Sequence, residues 1–65
     1  MHLFQIVSRS DTHEPRLTYG VGPTWFLVRE AARIKYGDNL IRVELAAPGF
    51  TPREGKIEIR VEPGP

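Results

Sequence analysis

Cysteine is absent from the 65 residues, which excludes a disulfide framework and any zinc site built on thiolates. Long hydrophobic runs are missing too, and nothing approaches the roughly 18 to 20 apolar residues of a bilayer-spanning helix. The opening nine residues carry no basic leader, and their apolar part is too short for a secretory signal. Charge of one sign is also scarce. Lys+Arg 9 against Asp+Glu 8 leaves a formal charge of +1, far from the strongly basic footprint of a nucleic-acid domain. These absences predict a soluble, cytoplasmic chain with no membrane partner. It is expected to form a single small α+β domain over residues 1–65, with 63–65 a loose C-terminal tail.

What is present is a hydrophobic fraction of 40% arranged in short periodic segments. A chain this short, without staples, depends on tight packing, a partner or self-association. Its core is also too small to enclose a typical substrate cleft, so size alone directs attention to surfaces.

Residues 3–8 read as a strand with Phe4 and Ile6 on one face and Leu3 and Val7 on the other, a two-sided pattern that suits an interior strand. Residues 10–15 have turn chemistry. Residues 16–21 alternate, with Leu17, Tyr19 and Val21 on one side, and are expected to return as a hairpin. Pro23 at a first-turn position opens a helix over 25–36, and Gly37 closes it with a left-handed cap. On the helical wheel Leu27, Val28, Ala31, Ala32 and Ile34 form the expected inward arc, with Trp25 and Tyr36 at its margin and Arg29, Glu30 and Arg33 opposite. Residues 40–45 and 56–62 are period-2 strands, expected to pair as an antiparallel hairpin through the 46–55 loop, with Arg42 and Glu44 opposite Glu58 and Arg60. The resulting expectation is a single helix packed on a mostly antiparallel four-stranded sheet, strand-strand-helix-strand-strand and β-grasp-like, with sheet order 2-1-4-3. An alternative leaves 16–21 irregular beside a three-stranded sheet.

Candidate chemistry is sparse. Asp11, His13 and Glu14 are the one acid-plus-imidazole cluster, but His2 lies at the far end of the first strand, so the expected reading is a solvated turn and not a metal site. Ser10 or Thr12 beside His13 lacks the burial and third orienting group of an activated nucleophile. No phosphate-cradling glycine loop, paired carboxylate motif or helical zinc signature is present, and neither catalysis, a metal nor a cofactor is expected. Seven of the basic residues are arginines, suited to bidentate contacts with carboxylate or phosphate, but acids are interleaved with them. Phe26 falls in the polar arc of the helix among Arg29, Glu30 and Arg33, the composition of a binding hot spot; the competing reading folds it under residues 20–22. Phe50 sits on a loop stiffened by Pro48 and Pro52, either presented to a partner or closing one end of the core. Trp25 is expected to pack on the sheet. If 40–45 is an edge, its backbone can extend another sheet or a second copy, with the alternating Arg and Glu as the opposing guard.

Two resemblances accompany these residues. The stretch Arg29 to Glu44, with its "EA+RI" helix and "I+VE" strand, resembles the helix-to-strand unit of small phage and mobile-element proteins, some anti-CRISPR proteins among them. Such proteins act without catalysis, by occupying a surface of a large effector complex. Trp25-Phe26 together with residues 41–46 also resembles the small phycobilisome linker domain. Both imply a module that docks on a larger assembly. The expectation is therefore a non-enzymatic interaction protein, a monomer or homodimer, whose partner is a larger protein or ribonucleoprotein complex. Its contacts are expected at Phe26, Arg29, Arg33, Phe50 and Arg53. The alternative is a nucleic-acid binder using dispersed arginines.

Overall fold

The structure, a computed structural model, describes residues 1–53 and 55–63. Gly64 and Pro65 of the expected tail, and Glu54 of the loop, lie outside the described residues. One helix packs on a four-stranded mixed sheet, an α+β arrangement in the element order β1 (His2–Arg9), β2 (Pro15–Gly22), α1 (Trp25–Tyr36), a 3-10 turn (Gly37–Asn39), β3 (Leu40–Leu45) and β4 (Ile57–Arg60).

The spatial order is β3-β1-β2-β4. β1 is interior, as its two apolar faces predict, and pairs antiparallel with β2 and with β3. The expected 2-1-4-3 order and the β3–β4 hairpin do not form. β4 instead runs parallel to β2 on the opposite edge. The 46–56 connection makes this possible. It leaves β3 where the Ala46 amide bonds the Leu3 carbonyl at 3.0 Å and reaches β4 where the Lys56 carbonyl accepts from the Tyr19 amide at 3.0 Å. On the way it lays the Phe50 ring on Tyr19, with centroids 5.1 Å apart. Alternation along a strand marks sides but not neighbours, so a pattern that fits a hairpin also fits two parallel edges. The expected pairing of Arg42 and Glu44 with Glu58 and Arg60 is accordingly absent. Arg42 and Glu44 pair with each other at 3.4 Å.

Helix α1 begins at Thr24, whose hydroxyl accepts from the Leu27 amide at 3.2 Å. Pro23 therefore precedes the cap and is not in the first turn. Gly37, at φ 57, ends the helix and sends its amide to the Arg33 carbonyl. Phe4, Ile6, Val28, Ala32, Val43 and Ile59 form the core, flanked by Ala31, Tyr36, Leu40 and Val61.

The face that β2 turns to the helix carries Thr18, Gly20 and Gly22, not Leu17, Tyr19 and Val21. A Cβ on Gly22 would stand 2.5 Å from a Val28 methyl, and one on Gly20 3.1 Å from the other. The missing side chains let α1 lie directly on the backbone of β2. So close an approach narrows the buried stripe of the helix to Val28 and Ala32. Ile34, expected inside, is 86% exposed, and Leu27 is also exposed.

Candidate functional site

The structure separates the expected contact residues into two groups, one on α1 and one on the loop that crosses from β3 to β4. Thr18 on β2 faces the helix, its hydroxyl 3.1 Å from that of Tyr36. Its neighbour Tyr19 must therefore face away, and Phe50 stacks over it there. Phe50 is 45% exposed, because one side of its ring covers Tyr19 and the other is open. Arg53 is exposed on the same crossing loop. Leu3, Val7 and Val21 share this outer face half-buried, and Leu17 is exposed on it.

Phe26, Arg29 and Arg33 belong to the helix side. Phe26 is 59% exposed and does not fold under residues 20–22. Leu27 and Ile34 are also exposed on the solvent side of α1, with Glu30 standing between Phe26 and Ile34, one turn from each. Trp25 lies on the flank of α1 that faces β3, half-exposed, with its indole Nε1 donating to the Val43 carbonyl at 2.6 Å. Its placement follows from the pairing of β3. The Ala46–Leu3 bond fixes Leu3/Ala46, Gln5/Glu44 and Val7/Arg42 as hydrogen-bonded pairs, so Val43 and Leu45 point their N–H and C=O groups away from β1. Trp25 takes up one of these edge carbonyls.

The Arg29 guanidinium lies 5.5 Å from the centroid of the Trp25 ring, a cation–π arrangement. It also reaches Glu30 at 3.3 Å, and Arg33 reaches the same carboxylate oxygen at 3.4 Å. Between α1 and β3 an open groove of about 480 Å³ is lined by Trp25, Arg29, Arg33, Leu40, Ile41 and Arg42 among others. Exposed Ile41 and Leu45, the latter 66% exposed, continue the apolar surface along the edge of β3. The arginines of the groove are matched by Glu30, Glu44 and the lining Asp38, so the surface has mixed charge around apolar side chains.

A second polar cluster lies at the other end of α1. The Tyr36 hydroxyl donates to Glu58 at 2.5 Å and accepts from Thr18, while Arg16 reaches Glu58 at 2.7 Å. Lys35 adds a bond to the Glu58 backbone carbonyl at 3.4 Å. Burial, reinforced by the Glu58 carboxylate, holds the Tyr36 pKa above its ordinary value. The Tyr36 hydrogen bond, aided by Arg16, holds Glu58 below its ordinary value. Every member is engaged with another, so the cluster is a clasp between α1, β2 and β4.

In the 10–15 turn, His13 adopts φ 65, its amide donates to the Ser10 carbonyl at 2.9 Å, and the Ser10 and Thr12 hydroxyls bond each other at 3.0 Å. The exposed hydroxyls are thus tied to the turn itself. Among the described residues no three His, Asp or Glu side chains are placed to hold a metal ion. No helix of the described residues is long and apolar enough to cross a membrane.

Two features of this surface escaped the sequence reading. The outward position of Ile34 follows only once glycines on β2 draw the helix down. The Trp25 bond requires knowing that β3 is an edge. A comparison with family models, with curated proteins and with solved structures finds no match to this chain.

Proposed function

We propose that this chain is a non-enzymatic interaction protein that docks on a larger protein or ribonucleoprotein complex through the α1/β3 side. One observation carries the reading. Trp25 and Ile41, both exposed, line one groove between α1 and β3 with Arg29, Arg33 and Arg42, and Phe26 and Leu45 stand exposed on the same two elements, in a chain of only 65 residues. Scattered exposed apolar residues are ordinary, but a groove in which an exposed Trp and Ile stand among arginines has the composition of an interface. The occupation of a host-defence effector by a phage protein is the specific form of this reading, and its support is the sequence resemblance over residues 29–44. Blocking by occupation needs no catalytic residues, only area and complementarity.

Arg29, Arg33 and Arg42 around one groove favour a second reading, a nucleic-acid contact. The two separate by salt. Phosphate contacts lose affinity steeply as salt rises, whereas an apolar interface with internally paired charges changes little. Affinity capture from the source cell with wild type and with a Phe26→Ala/Arg33→Ala double variant is the test. The double variant should keep its circular dichroism and lose the captured complex by tenfold or more, the scale of a hot-spot pair at roughly 1–2 kcal/mol each. Undiminished capture would remove α1 from the interface, and a steep salt dependence would favour nucleic acid.

A further inference from the structure

The geometry points to a homodimer in which β3 pairs antiparallel with β3 of a second copy, in the single register centred on Val43. β3 is an edge strand, and Val43 and Leu45 aim their backbone groups away from β1, as the Ala46–Leu3 bond requires. Pairing must join outward-facing residues to outward-facing residues, so Val43 meets Val43, or the strands slide by a step that places Arg42 opposite Arg42 or Glu44 opposite Glu44. Only the Val43-centred register puts Arg42 opposite Glu44 of the second copy, and Glu44 opposite Arg42. These are non-hydrogen-bonded pairs, in which side chains approach closest. Arg42 and Glu44 are both exposed and bridge to each other at 3.4 Å within one chain, so in the dimer the two bridges join into a ring of four charges.

The same register sets Ile41, which the β1–β3 pairing skips between Arg42 and Leu40, opposite Leu45 of the second copy. Each strand thus covers an exposed apolar residue of the other. An unrelated strand would meet Arg42 and Glu44 as guards against pairing; a second copy meets them with opposite sign. The contact is self-complementary about a two-fold axis, the commonest closed symmetry of soluble oligomers. The axis stands perpendicular to the sheet, so both helices lie on the same face. The two α1/β3 grooves then merge into one trough, walled by α1 of each copy and floored by the paired strands. Trp25 already donates to Val43, and a carbonyl oxygen has a second lone pair for the incoming amide. Its indole therefore stands beside the axis.

Charge exchange tests the register. Sedimentation across a concentration series should show a monomer–dimer equilibrium, with the fluorescence of Trp25, the one tryptophan of the chain, shifting along the same isotherm. Arg42→Glu and Glu44→Arg should each weaken dimerisation by roughly tenfold or more, since two symmetric attractions become repulsions. The Arg42→Glu/Glu44→Arg double exchange should restore it. An equimolar mixture of the two single variants should dimerise more tightly than either does alone, because every cross-strand pair is then opposite in sign. Circular dichroism of each variant reports that the fold is retained. Wild type that stays monomeric throughout the series, or a dimer indifferent to the single exchanges, would overturn the proposal.

Discussion

At the scale of the residue, the least conspicuous side chains set the geometry. Gly20 and Gly22 have no substituent toward α1, and this lets Val28 sit fully buried against the β2 backbone. Gly22→Ala should therefore destabilise the fold by about 1–3 kcal/mol, the usual cost of forcing atoms into a packed core, as a lowered urea midpoint would show. Gly22 is thereby distinguished from Gly49, which has open space around it. Ile34 is the converse case. Being 86% exposed, it should tolerate Ile34→Lys within about 0.5 kcal/mol. A loss of several kcal/mol would mean that the helix buries the face the sequence pattern first implied. Five apolar positions in an arc fit a helix lying on side chains, but a helix lying on glycines buries a narrower stripe. That difference is set by another element and is invisible in the helix itself.

Among the elements, what could be read in advance was whatever depends on neighbours in sequence. The 25–36 helix, its Gly37 stop and the four strands follow from local period and capping, and the interior place of β1 follows from its two apolar faces. Strand order did not, because the crossing of 46–56 rests on Phe50 meeting Tyr19, residues far apart in the chain. The clasp of Arg16, Thr18, Tyr36 and Glu58 is hidden for the same reason, since its members come from β2, α1 and β4. The wheel alone puts Phe26 in the polar arc, but whether it stands exposed or folds under residues 20–22 depends on how α1 meets β2. Phe50 belongs to the opposite face, which the loop's own composition does not disclose.

The clasp makes stability depend on pH at both ends. Glu58 is held below its ordinary pKa of 4.5. Its contribution is present above that value and is lost as pH falls toward the folded pKa, because the unfolded chain takes up the proton first. Tyr36 is held above its ordinary 10.0, so its contribution is complete below that value and is lost as pH rises through it. Thermal unfolding of Tyr36→Phe should show lower stability at neutral pH, by about 1.5 kcal/mol for a hydrogen bond to a charged group. Its stability should also fall less steeply at either limb. Parallel profiles for wild type and variant would show that the clasp contributes nothing.

For the whole molecule, the sheet divides the surface into two sides of different character. The outer face is partly closed by the chain's own 46–56 crossing, with Phe50 resting on Tyr19. The α1/β3 side has no such cover. There Trp25, Phe26, Ile41 and Leu45 stand exposed beside arginines already matched with acids. A domain this small gains little by holding large apolar side chains in water, which is why the proposed docking is assigned to that side. The most direct measurement is amide hydrogen exchange on the captured complex, compared with the free chain. Protection gained over residues 25–34, with the 46–56 crossing and the 10–15 turn unchanged, is the predicted result. Protection confined to the crossing around Phe50, or to the turn around His13, would contradict it.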